Sequence, residues 1–152
     1  MATRALTYVK GSDGQALISL FEFADGYPSW YGNGLAEALL TIEQAKDEAE
    51  LAEKLQEAVF EHMPDDPIYI VETDWPDYDC HSYTYDVYLS DGTIKMRAFR
   101  GEEEIFNGTP VEFLSKKDLD KRADEVATIV AAIPLAERPT SFLWNGWRVY
   151  LP

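Results

Sequence analysis

Tyr83-Thr84-Tyr85-Asp86-Val87-Tyr88-Leu89-Ser90-Asp91-Gly92-Thr93-Ile94-Lys95-Met96-Arg97-Ala98-Phe99-Arg100 is the stretch that decides the fold. Asp91-Gly92 is a two-residue turn signal between two alternating runs, so the segment reads as a β-hairpin. A two-residue loop sets Asp86 opposite Arg97 and Tyr88 opposite Lys95 on one face. It sets Leu89 opposite Ile94 and Val87 opposite Met96 on the other. One face is charged and the other apolar, as a half-buried antiparallel sheet requires.

The same signals extend outward in both directions. Leu6 to Lys10 and Ala16 to Phe23 read as strands around Gly11-Ser12-Asp13-Gly14, where a two-residue and a four-residue loop both fit. Ile68 to Thr73 is a further strand and Glu103 to Phe106 a short one, with Asn107-Gly108 as a turn. Leu143 to Arg148 closes the chain as a hairpin in which Trp144 faces Trp147. Between these, Leu35, Leu39, Ile42, Ala49, Ala52, Leu55, Val59 and Met63 form one apolar helical stripe. Asn33 stands where a helix cap would be, and Thr41 with Gln44 has the form of a capping box. The expectation is a short helix to about Leu40 and a longer one from about Ile42, ended by Pro64. Ser115 with Asp118 predicts the start of a last helix reaching Ile133, with Leu119, Val126, Ile129, Val130 and Ile133 inward. The whole reads as one α+β domain over residues 1–152: a mainly antiparallel sheet of about six strands with about two to three helices packed on one face.

Composition narrows the function classes. The 152 residues fit a single domain, and 46% of them are hydrophobic, too many for a disordered chain. No apolar run approaches the roughly 20 residues that span a bilayer, and the N-terminus lacks the apolar stretch of a signal peptide. The one cysteine, Cys80, excludes an internal disulfide and a four-cysteine zinc site, which points to a cytoplasmic protein. A formal charge of −15 opposes direct binding to nucleic acid and to anionic membranes. Such acidity serves solubility, or it targets a basic surface on another protein.

Ala2-Thr3-Arg4-Ala5-Leu6, then Phe23-Ala24-Asp25-Gly26-Tyr27-Pro28-Ser29, then Gly32 and Leu35-Ala36-Glu37, resemble a family of small proteins encoded by bacteriophages and prophages. In that family a "Thr-Arg" first strand leads into an "Asp-Gly-Tyr-Pro-Ser" loop and a helix. The likeness covers about the first 40 residues. It departs from the family after Ser29, where Trp30 and Tyr31 stand in place of a small residue. The resemblance implies a phage context and carries no chemistry.

Three places in the chain are candidates for function. The loop from Asp25 to Gly34 joins a strand to a helix; it has neither a dinucleotide fingerprint nor a P-loop lysine. Its aromatics either plug the core or meet a partner through Tyr27, Trp30 and Tyr31. The long helix carries Asp47, Glu50, Glu53, Glu57 and Glu61 on its outer side, where carboxylates would stand in for backbone phosphates. The loop Asp74-Trp75-Pro76-Asp77-Tyr78-Asp79-Cys80-His81 offers Trp75, Asp77 and Asp79 to a partner. Alternatively Asp74, Asp77 and Asp79 would hold a divalent cation, although not at EF-hand spacing. Two histidines, His62 and His81, and no Gly-x-Ser-x-Gly elbow leave little for a zinc or serine hydrolase.

The favoured reading is a non-enzymatic phage accessory protein. Its acidic surface would bind a basic host protein as a nucleic-acid mimic or an inhibitor of a host factor, with no cofactor. A small carboxylate/Mg²⁺ enzyme and a self-associating structural phage component are the alternatives, and the sequence leaves the oligomeric state open.

Overall fold

The computed structural model describes residues 3–71 and 82–150. In chain order these form β1 (Ala5–Lys10), β2 (Ala16–Glu22), α1 (Asn33–Leu40), α2 (Glu48–His62), β3 (Ile68–Ile70), β4 (Tyr83–Ser90), β5 (Thr93–Arg100) and β6 (Glu103–Gly108). Then follow α3 (Pro110–Leu114), α4 (Lys116–Lys121), α5 (Ala123–Ala131), β7 (Ser141–Trp144) and β8 (Trp147–Tyr150). The strands form one sheet of 8, in the order β3-β2-β1-β4-β5-β6-β8-β7. The α+β class holds. The sheet exceeds the six strands expected because β3 is a separate edge and β7–β8 join the far end.

The deciding hairpin has the register its turn dictates: Asp86 lies opposite Arg97, Val87 opposite Met96, Tyr88 opposite Lys95 and Leu89 opposite Ile94. Asp91 and Gly92 take the positive φ values that a tight two-residue hairpin turn needs. Every pairing is antiparallel except β1 with β4, which run parallel. This makes β1 an interior strand, and Ala5, Leu6, Thr7 and Val9 are all buried.

A single core lies on the helix side of the sheet. Ala5, Val9, Ile18 and Leu20 from β1–β2 meet Leu35 and Leu39 of α1 and Leu51, Leu55 and Val59 of α2. It continues through Tyr85, Val87, Met96 and Ala98 to Phe106, Phe113 and Trp147, whose rings pack edge-on or tilted with centroids 4.6 to 5.0 Å apart. The Trp147 indole N–H donates to the Phe113 carbonyl, which satisfies the polar edge of a buried ring. On the opposite side of the sheet Leu6 and Phe21 are also buried. There Phe21, Phe23 and Tyr69 make an edge-to-face aromatic run, with the Arg4 guanidinium over Phe23.

Helix boundaries depart from expectation at identifiable caps. Helix α2 starts at Glu48, not near Ile42, because the Asp47 carboxylate accepts from the Glu50 amide. Glu50 reaches back to the Lys46 amide, so the capping pair lies six residues beyond Thr41–Gln44. Thr41 instead donates its hydroxyl to the Ala38 carbonyl and ends α1. Asn33 does not cap α1: Pro28 to Gly32 form a wide helical turn that runs straight into α1, and the Asn33 side-chain amide donates to the Ser29 carbonyl.

Asn107-Gly108 is strand, paired with Arg97 and Met96. The turn lies earlier, where Gly101 takes a positive φ. The next helix begins at Pro110 with a reciprocal Thr109–Glu112 capping box, ahead of Ser115, whose hydroxyl donates to the Glu112 carbonyl. A helix does start after Ser115 as expected, at Lys116, but instead of running unbroken to Ile133 it breaks at Arg122 into α4 and α5. Of its supposed inward residues Leu119 is buried, whereas Ile129 is 65% exposed.

Candidate protein-binding face

The outer surface of α2 is set by helical geometry. Leu51, Ala52, Leu55, Ala58 and Val59 are buried against the sheet and α1. Residues 53, 57 and 61 are each separated by four, so their side chains fall in one row opposite that face, rising about 6 Å per step. Glu53, Glu57 and Glu61 are all exposed and have no ion-pair partner among the described residues. Glu50 differs. It accepts from Lys54 at 2.8 Å and from the Lys46 amide, and these bonds hold its carboxyl below the ordinary range. Asp47 is likewise engaged at the helix start. Of the five α2 carboxylates expected to face a partner, three are therefore free and two are structural.

At the end of the row α2 meets α1 and the Asp25–Gly34 loop. His62, the last residue of α2, lies 2.9 Å from the Glu37 carboxylate of α1. The two line an open groove of about 400 Å³ together with Ser29, Trp30, Asp65 and Lys117. Trp30 projects there, 62% exposed. Burial and the neighbouring Asp25 and Asp65 charges raise the pKa of Asp66, on the same groove. Glu53, at the start of the row, borders a second open hollow, of about 750 Å³, whose walls include Leu17, Ala52 and Ile70.

The aromatic trio of the loop divides. Tyr27 is 41% exposed, with its ring against Tyr83, and Trp30 is more open still. Tyr31 is fully buried and cannot touch a partner: its hydroxyl shares a 2.6 Å hydrogen bond with Thr7, and its ring packs edge-to-face on Tyr85. Burial raises the Tyr31 pKa, with only the Thr7 bond acting against it. Gly26 is pressed so closely on β1 that a Cβ would lie 2.8 Å from that of Ala5, and its carbonyl accepts from the Tyr85 hydroxyl. The motif that carries the phage resemblance is thus the joint between the first hairpin and the helices.

No family model, curated protein or solved structure matches this chain. The site is therefore read on geometry alone. Asp74, Trp75, Asp77 and Asp79, the remaining expected contact and cation-binding residues, lie outside the described residues. Among the described residues no group of three His, Cys, Asp or Glu is placed to hold a metal ion.

Two features of the surroundings escaped the sequence reading. Glu22, at the end of β2, is completely buried in strand register with Ala5 and Ile68. One of its oxygens accepts from the Ala24 amide; the other has no hydrogen-bond partner. Burial is the main cause that pushes its pKa up to about 7, and the Asp66 and Asp25 charges add to it. The charge itself is also unevenly placed. Residues 1–110 hold 22 Asp and Glu against 7 Lys and Arg, whereas residues 111–152 hold 6 of each. All of the −15 belongs to the part of the chain that carries α2.

Proposed function

We propose that the chain is a non-enzymatic binding protein whose α2 face docks on a basic surface of another protein. The observation that carries this is the row Glu53–Glu57–Glu61, exposed and without cation partners among the described residues, in the part of the chain, residues 1–110, that holds all the net charge. Uncompensated carboxylates at regular spacing raise the on-rate and select a partner of opposite sign. Trp30 at the end of the row supplies an aromatic anchor of the type that carries interface energy. The likeness of the Asp25–Ser29 segment to phage and prophage proteins supports a host-directed role in the host cytoplasm. A DNA- or RNA-binding protein blocked by mimicry of phosphate is the partner class that fits such a face.

Affinity capture from bacterial lysate in low and in high salt, followed by competition with duplex DNA, tests this reading. It expects a basic protein, retained at low salt, released at high salt, and displaced by DNA. Partners that are neutral or acidic and insensitive to salt would overturn it.

A further inference from the structure

Helix α5 is an apolar helix without a core. It carries Val126, Ile129 and Val130, yet none of its residues is buried. Covering such side chains would stabilise the chain. The space beneath and beside the helix is open instead. A cleft of about 520 Å³ lies between α4–α5 and β8, with Trp147 and Val149 among its walls. An apolar hollow of about 340 Å³ runs toward Phe142 and Trp144. Leu119, Val126 and Val130 line both, so the cleft and the hollow adjoin.

The charges gather at the larger cleft. Lys116, Arg138 and Arg148 line the larger cleft, and none is paired with a carboxylate among the described residues. The Lys116 ammonium rests 4.6 Å from the Trp147 ring centroid. Arg148 donates to the Ser141 hydroxyl, and Arg138 donates to the Ile133 and Ala131 carbonyls at the end of α5. Asp120 is the one carboxylate on this lining, and the hydroxyl of Tyr150, which also lines it, donates to Glu103. The smaller hollow has a single charged residue, Arg122, already paired with Glu125 at 3.0 Å. In a chain with 28 acidic and 13 basic residues, three cations without carboxylate partners around one apolar cleft are a local reversal of sign.

We propose that the cleft and the hollow together form one passage that binds an alkyl carboxylate. The carboxylate would meet Arg148 and Lys116, and the hydrocarbon tail would lie under α5 toward Trp144. A cavity of this size with an apolar lining and a few convergent charges is the usual form of a small-ligand site. Arg and Lys donate charge-assisted hydrogen bonds to a carboxylate headgroup and give no advantage to a neutral or cationic one.

The test uses the full chain, titrated with dodecanoate below its micellar concentration and followed by calorimetry and tryptophan fluorescence. Dodecan-1-ol and dodecyltrimethylammonium serve as comparison ligands. Dodecanoate is expected to bind once per chain at micromolar concentration, and the alcohol about tenfold or more weaker, the value of one charge-assisted contact. Arg148→Ala weakens dodecanoate to the level of the alcohol and leaves the alcohol unchanged. Val126→Trp, which fills the passage, abolishes binding of both with an unchanged thermal melt. Equal binding of all three headgroups, absence of saturable binding, or a dimer by light scattering whose interface covers the cleft would each overturn the proposal.

Discussion

Glu22 sits at full burial with one oxygen on the Ala24 amide and the other without a donor, and its pKa is raised to about 7. A raised carboxyl pKa means that the folded chain keeps a proton that the unfolded chain has lost. The stabilising contribution is therefore complete below the ordinary value of 4.5 and is lost as pH rises through about 7. Glu22→Gln is expected to flatten the stability profile across that window and to exceed the wild type at alkaline pH by roughly 1–3 kcal/mol. Urea midpoints measured across the window check this, and an unchanged slope in the variant would assign the titration elsewhere. Trp30 makes the opposite case. Trp30→Ala should leave stability within about 0.5 kcal/mol, as for an exposed site, while weakening partner binding. Thermal melts beside binding isotherms separate the two effects. At this scale little was legible. Glu22 lies at the end of an apolar strand run, and nothing local marks it as buried. Tyr31 and Trp30 are adjacent aromatics, and contacts distant in sequence, with Thr7 and Tyr85, hold Tyr31 inward.

Elements were legible wherever a local signal stood alone. The β4–β5 hairpin follows from Asp91-Gly92, and Trp144 faces Trp147 across Asn145-Gly146 for the same reason. The start of α2 was misplaced, and the start at Ser115 holds without a side-chain cap, because hydroxyl residues serve two ends. Thr41 and Ser115 have cap-like spacing, yet each donates back to a carbonyl three residues earlier. Asp47→Ala is accordingly expected to cost about 1 kcal/mol, whereas Gln44→Ala, at the apparent capping box, costs only a few tenths. Chemical denaturation of the two variants decides between the starts. Gly146 has φ of +81°, and a Cβ there would lie 2.5 Å from the Asn107 carbonyl oxygen. Gly146→Ala should therefore loosen β8 from β6 and lower the melting temperature by several degrees, for a loss of about 1–2 kcal/mol. The parallel β1–β4 pairing was hidden for a different reason. Strand partners far apart in sequence leave no local trace, and the run Ala5 to Val9 reads alike at an edge or in the interior.

The whole molecule is electrically divided. Its N-terminal part holds the excess carboxylates, with α2 over β1 and β2, and its C-terminal part is neutral, with an open cleft lined by three cations that have no carboxylate partner among the described residues. That acidity was plain from composition, but its placement needed the fold. Helix geometry puts Glu53, Glu57 and Glu61 in one row, whereas Asp47 and Glu50 are taken up by the cap. The most direct measurement compares capture from bacterial lysate by the wild-type chain and by a chain with Glu53→Lys, Glu57→Lys and Glu61→Lys, at matched salt and with folding checked by circular dichroism. The α2 account predicts that the wild type retains a basic protein and the folded variant does not. Equal retention by both chains would contradict it.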